Sequence, residues 1–293
     1  MKILVTGANG FLGGHLTPYL TGKGHVVTSC SRGVCRIAAQ DLFTYHSVDL
    51  TDKIAVSAMV AAVKPDILIH CAANSKPDDC ENDKSACLLQ NVEATKFLLQ
   101  ACKHLQTQFI FISTDFIFGE NGPHSEDDIP APLNFYGESK LIAEQAVINS
   151  GLLYAIVRPV FIYGSVMEGM RPSFLHWVKN NLEQNKPIKV VSDQQRTPTF
   201  VQDICKGIAA IIDQRAEGAF HLAGMDVLSP YQMAVTVADF LGLNEALIEN
   251  VTSDTFIETV QRAKRSGLRI DKAKSVLGYQ PVSFEEGVQL TFN

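Results

Sequence analysis

Near the start of the chain an apolar, β-branched run, Ile3-Leu4-Val5-Thr6, meets three glycines at intervals of three, Gly7, Gly10 and Gly13, and then leucines at helical spacing, Leu12, Leu16 and Leu20. Such a run commits the segment to a strand that turns sharply into a helix, because glycine permits the tight turn and lets another backbone come close. The first turn of that helix carries unpaired N–H groups and partial positive charge, which together favour an anion. In this context Gly7, Asn9, Gly10, Phe11, Leu12 and Gly13 read as a cradle for the pyrophosphate of a dinucleotide. A glycine-rich strand-to-helix turn with no ligand is the competing reading of these residues alone.

The strand-then-helix pattern recurs. Residues 26–29, 46–49, 67–70, 109–113 and 154–158 read as short strands, with amphipathic stretches between them, such as Ile54, Ala58, Ala61 and Ala62 after Thr51-Asp52. This alternation predicts an α/β fold, a Rossmann-like doubly wound parallel sheet with helices on both faces. Later the helical patterns dominate. Ser229-Pro230 reads as an N-cap and first helical residue of a helix through Leu241 that Gly242 stops, Asp271 caps a helix ending near Gly278, and Ser283 caps a last one. Residues 200–212 and 219–222 are expected to return to the sheet. The expected division is therefore a dinucleotide-binding domain of residues 1–160 and 195–225, with a smaller, mainly helical substrate-binding lobe of residues 161–194 and 226–293, discontinuous and without a flexible linker.

A length of 293 residues suits two such units. The net charge of −6 argues against a nucleic acid or an anionic membrane as partner, since each calls for a basic stripe. No apolar stretch approaches the roughly 18 residues of a membrane span. The first residues lack the pattern of a secretory signal, so a cytoplasmic location is expected. Seven cysteines without a Cys-x-x-Cys pair read as reduced structural thiols. The acidic run Glu126-Asp127-Asp128 lacks spaced His or Cys, so no metal site is expected.

Two further patterns speak to chemistry. Tyr136 and Lys140 lie four apart, hence on one helix face, where an ammonium can favour the phenolate and tune the tyrosine as a general acid for a ketone that accepts hydride at carbon. An exposed helical pair is the alternative. At the end of the second strand stand Cys30, Ser31 and Arg32, with no carboxylate to bind a ribose 2′-hydroxyl. NADPH is therefore preferred as cofactor, with NADH as the alternative should Arg32 be only a solvated surface residue.

With these motifs in place the chain resembles the extended short-chain dehydrogenase/reductase family over nearly its whole length. The resemblance rests also on Val48-Asp49-Leu50, His70-Cys71-Ala72-Ala73, Asn91-Val92, Arg158-Pro159 and Ile162-Tyr163-Gly164. Residues 113–118, 132–137, 194–199 and 267–271 are most similar to the dTDP-4-dehydrorhamnose reductase branch, although Phe116 stands where that branch usually has tyrosine, and Gly119-Glu120 replaces its aspartate-glycine. The resemblance implies that Tyr136 donates a proton and that Lys140 binds the nicotinamide ribose. Thr114 would polarise the carbonyl oxygen and Asp115 orient the sugar. It also implies that Asp49 and Leu50 flank the adenine, that Cys71, Ala72 and Ala73 line the strand end, that Asn91 supports the site, and that Arg196 meets a nucleotide diphosphate. A salt bridge from Arg196 to Asp193 or Asp203 is the competing role. The implied activity is reduction of a nucleotide-activated 4-keto-6-deoxy sugar, and a homodimer is the implied assembly. Two alternatives stand: a nucleotide-sugar epimerase, and a non-catalytic NADP-binding regulatory subunit, since residues 72–78, 128–134 and 218–222 also resemble the methionine adenosyltransferase β subunit.

Overall fold

The computed structural model describes residues 1–293 apart from Glu168, Arg171 and Ile257. In chain order its first half alternates β1 (Lys2–Thr6), α1 (Phe11–Gly22), β2 (Val26–Ser31), β3 (Phe43–Ser47), α2 (Lys53–Val63), β4 (Ile67–His70), α3 (Pro77–Asn82), α4 (Lys84–Leu88), α5 (Ala94–Cys102), β5 (Gln108–Ile112), α6 (Phe135–Ile148) and β6 (Tyr154–Arg158). The second half holds β7 (Ile162–Tyr163), α7 (Phe174–Glu183), β8 (Ile188–Val191), β9 (Thr199–Phe200), α8 (Val201–Gln214), β10 (Gly218–His221), α9 (Pro230–Leu241), β11 (Ile248–Val251), α10 (Asp271–Leu277) and α11 (Phe284–Phe292). None of these helices is long and apolar enough to cross a membrane.

Seven strands form one parallel sheet in the order β10-β6-β5-β4-β1-β2-β3. Every residue of β4 and β5 is buried, as a strand covered on both faces requires, and apart from His70 and Gln108 their sequences are correspondingly apolar without alternation. One face packs Ile3, Val5, Ile69, Ile110 and Ile112 beneath α1 and α8, while the other packs Leu4, Leu68, Phe109 and Phe111 beneath α2, α5 and α6. A separate core of Leu175, Val178, Met233, Val237, Ile248 and Val288 joins α7, α9, α11 and the two-stranded β8–β11 sheet. The sheet order runs outward in both directions from β1, and such a reversal opens a crevice at the carboxyl ends of the strands.

Three local expectations need correction. The third strand spans Phe43–Ser47 rather than 46–49, with Cys30 facing His46 and Ser31 facing Ser47 in register. Asp49 lies beyond it, where its carboxylate accepts from the Thr51 N–H at 2.9 Å and hydroxyl at 2.8 Å, a local turn that competes with strand pairing. Residues 201–212 are helical, because Ile204, Ile208, Ile211 and Ile212 recur at helical spacing and all enter the core; only β10 returns to the sheet, beside β6. Asp271 sits in the first turn of α10 instead of capping it; the N-cap is Ile270. Ser229 and Ser283 do cap their helices, and Ser229 with Gln232 closes a reciprocal capping box. Between α4 and α5 the helix continues through one wide turn of π geometry, Leu89–Glu93.

Candidate active site

A cleft of about 630 Å³ runs along the carboxyl ends of the central strands, within the size range of small-molecule sites. At one end Gly7 adopts φ 74°, and a Cβ there would lie 2.7 Å from Ala72 N. A Cβ on Gly13 would lie 2.3 Å from Gly7 O, so α1 packs directly onto the turn. Gly10, the N-cap of α1, offers no side-chain acceptor, which leaves the first-turn N–H groups open to the cleft beside Phe11 and Leu12. The glycine cradle could therefore hold an anion such as a pyrophosphate.

Asn9 serves that end indirectly. Its amide nitrogen donates to Val34 O at 2.8 Å and Arg32 O at 3.2 Å, and its oxygen accepts from Arg36 N at 3.0 Å. This bracing holds the loop after β2 so that Ser31, Arg32 and Arg36 line the cleft. Arg36, absent from the sequence-derived set, also donates to Gly169 O at 2.9 Å. Asp49 and Leu50 line the same end, and the Thr51 hydrogen bonds hold the Asp49 carboxyl below its usual range. Cys71, Ala72 and Ala73 follow β4 along the floor, and burial pushes the Cys71 thiol up to about 12, in keeping with a structural thiol.

Asn91 does not line the cleft. It is buried in the wide turn, where its oxygen accepts from Asn74 N at 2.7 Å and its nitrogen donates to Asn74 O at 3.1 Å and Ser139 Oγ at 3.0 Å. It thus pins the loop after β4 to α6. His70 is likewise structural, bonded to Thr6 Oγ1 and Thr95 Oγ1, with burial depressing its imidazole to about 3.

At the other end Asn134 caps α6 by accepting from Gly137 N at 3.0 Å. Gly137 lets the helix press on the backbone after β5, where a Cβ would lie 2.1 Å from Phe116 O. That approach brings Tyr136 and Lys140 of α6 to the same cleft wall as Thr114 and Asp115. The Lys140 ammonium donates to Ile112 O at 2.7 Å and sits 4.0 Å over the Phe111 ring. Burial depresses it to about 8, against the opposing charge of Glu144. The tuning expected of Tyr136 runs the other way: burial raises its phenol well above the ordinary value, and only the nearby Thr114 hydroxyl opposes that. With the ammonium turned toward Ile112, burial prevails and the Tyr136 phenol keeps its proton.

Arg196 lies beside the cleft, on a chamber of about 10 Å³ shared with Asp115, Asn134, Arg262 and Ser266. Neither expected salt bridge forms. Asp193 binds Ser253 and Lys264, and Asp203 binds Lys206 and Val282 N. Arg196 is buried and donates to Ser266 Oγ at 3.0 Å and Gln194 Oε1 at 2.5 Å. Burial raises the carboxyl of Asp115, and the charge of Arg196 opposes the rise. Arg262 reaches this chamber while paired with Asp78 at 2.8 Å across 184 residues of sequence, a juxtaposition that local patterning cannot signal.

The RmlD substrate binding domain family model matches residues 1–293. The chain belongs to the RmlD family. This places it in the extended short-chain dehydrogenase/reductase group that its motifs resemble. The methionine adenosyltransferase 2 subunit beta of Pongo abelii is 31% identical over 98% of this chain and 86% of its own length. The dTDP-4-keto-6-deoxy-D-glucose reductase of Streptomyces niveus is 30% identical over 86% of this chain and 82% of its own. The structure of dTDP-4-dehydrorhamnose reductase from Bacillus anthracis in complex with NADP superposes with a TM-score of 0.87 at 26% identity, covering 99% of this RmlD-family chain and 98% of the other.

Proposed function

We propose that this protein reduces the ketone of a nucleotide-activated 4-keto-6-deoxy sugar with NADPH, with dTDP-4-dehydrorhamnose as the foremost candidate substrate. One observation carries the reading: Thr114, Tyr136 and Lys140 meet on the wall of a cleft whose far end is a glycine cradle. Gly7, Gly10 and Gly13 would hold the pyrophosphate, and Asp49 and Leu50 the adenosine. Ser31, Arg32 and Arg36 would hold a 2′-phosphate, for which no carboxylate competes at the end of β2. Residues 1–160 and 195–225 would carry the dinucleotide, while 161–194 and 226–293 close over the sugar nucleotide.

The nicotinamide, when bound, supplies the hydride that reduces the carbonyl carbon. Thr114 donates a hydrogen bond to the carbonyl oxygen and polarises it. Tyr136, held protonated by burial, passes its phenolic proton to that oxygen as negative charge develops there. The Lys140 ammonium, anchored on Ile112 O, would hold the nicotinamide ribose. Asp115 and Arg196 orient the sugar and its diphosphate, where a guanidinium presents paired donors to phosphate oxygens.

A second reading has a specific observation in its favour, the 31% identity to methionine adenosyltransferase 2 subunit beta over most of both chains. It makes the protein a non-catalytic NADP-binding subunit. The deciding experiment follows NADPH consumption with dTDP-4-dehydrorhamnose generated in place, for wild type and Tyr136→Phe. The variant is expected to lose at least about 100-fold in turnover while keeping its NADPH affinity. Wild type that binds NADPH, turns over no dTDP-4-keto sugar and forms a stable complex with a methionine adenosyltransferase would overturn the reductase reading in favour of the second.

A further inference from the structure

We propose that the hydroxyl of Ser113 is an additional ligand for the nicotinamide-ribose end of the dinucleotide, a role that rests on the reading of the cleft as the cofactor site. Ser113 follows β5 and lines the cleft, yet it is only 5% exposed and its Oγ has no hydrogen-bond partner among the described residues. Other buried hydroxyls are engaged: Thr6 with His70, Thr95 with Asn91 O at 2.7 Å, Ser139 with Tyr136 O at 2.8 Å, and Thr199 with Val160 O at 2.7 Å. The other orphan atom, Gln108 Oε1, lies at the opposite end of β5, and the nitrogen of that amide is bonded to Ala216 O. A buried hydroxyl without a partner costs stability, so an unpaired one on a cleft wall marks a place where a ligand completes the bonding.

Its position narrows what that ligand is. Side chains alternate along a strand, so Ser113 continues the face of Phe109 and Phe111, toward α6. On the same wall the Lys140 ammonium lies over the Phe111 ring and bonds the carbonyl of Ile112, the residue before Ser113. One of the three ammonium donors is thereby used, which leaves two donors on the cleft wall that Ser113 also lines, and the serine hydroxyl can both donate and accept. This set matches a vicinal diol, the chemistry of the ribose next to the nicotinamide, and not the phosphates or adenine at the glycine end.

The test is Ser113→Ala, titrated calorimetrically with NADPH and with 2′,5′-ADP, which carries only the adenosine end. The expected result is about five-fold weaker NADPH binding, the scale of one net hydrogen bond, with 2′,5′-ADP binding unchanged. The melting temperature of the ligand-free variant should be equal to or above that of wild type, because an unpaired polar group has been removed. NADPH affinity equal to wild type would overturn the proposal and leave an ordered water as the partner. Equal losses for both ligands, or a lower ligand-free melting temperature, would also overturn it by pointing to a structural role. Wild type that binds neither nucleotide would instead remove the cofactor reading, and Ser113 with it.

Discussion

Replacing Lys140 should make the ligand-free protein more stable, although it removes a side chain central to the proposed chemistry. The ammonium is buried and its pKa falls from 10.5 to about 8. At roughly 1.36 kcal/mol per unit, that displacement corresponds to ~3 kcal/mol of folding stability forgone when the lysine is charged in both states. Lys140→Met keeps the apolar stem over Phe111 but leaves Ile112 O without its donor, which costs ~1 kcal/mol. The net gain near pH 7 is ~2 kcal/mol, or about 4 °C in melting temperature for a chain of this size. The sign depends on pH. Below pH 8 folded and unfolded chains both hold the proton, and the folded state bears the full cost of burying it. Between about 8 and 10.5 the unfolded chain keeps a proton that the folded chain has released, so wild-type stability from this group climbs with pH. The advantage of the variant must therefore shrink across that window. Thermal and urea unfolding of both proteins at pH 7 and at several values up to pH 10 measures this directly. A variant less stable than wild type at pH 7, or a difference that does not change with pH, refutes the reasoning.

Two other outcomes follow from the geometry. Arg32 and Arg36 both line the adenosine end of the cleft, so the double alanine variant should bind NADPH about 10- to 100-fold more weakly and NADH nearly as wild type, by calorimetry; parallel losses for both cofactors would remove the 2′-phosphate assignment. Glu144 and Arg158 form a buried two-pronged ion pair at 3.0 and 2.7 Å, so Glu144→Ala should cost about 3–5 kcal/mol by leaving the guanidinium unpaired, and a urea-unfolding loss below about 1 kcal/mol would contradict that burial.

The features legible in the sequence were those that a few neighbouring residues determine. The turn of Gly7, Gly10 and Gly13, the Ser229 capping box and the helix stop at Gly242 depend on contacts within a few positions, and the structure follows them. The β-rich composition of residues 200–212 misleads because helical periodicity decides their fate: the isoleucines of α8 fall on one buried side. The site was legible as a set of residue types, less so as directions. That Asn91 faces α6 rather than the cleft depends on a wide helical turn that no local pattern announces. That Lys140 turns to Ile112 O, and that burial dominates the Tyr136 phenol, depend on packing by elements far away in sequence. Arg262 and Ser113 escaped notice for related reasons, one paired with distant Asp78 and the other defined by a missing partner.

The wide turn at Leu89–Glu93 also says how this helix can change over time. A regular helix advances each residue by about 100°, so the turn holds one surplus residue whose rotation is already absorbed. Excising a single position there would restore an ordinary helix and leave Cys87 on one side of the turn, and Leu98, Leu99 and Cys102 on the other, facing the core as before. A change of length by one residue is therefore confined to the wide turn and to Asn91 within it, whereas the same change anywhere else along the helix would re-face one half of it by about 100°.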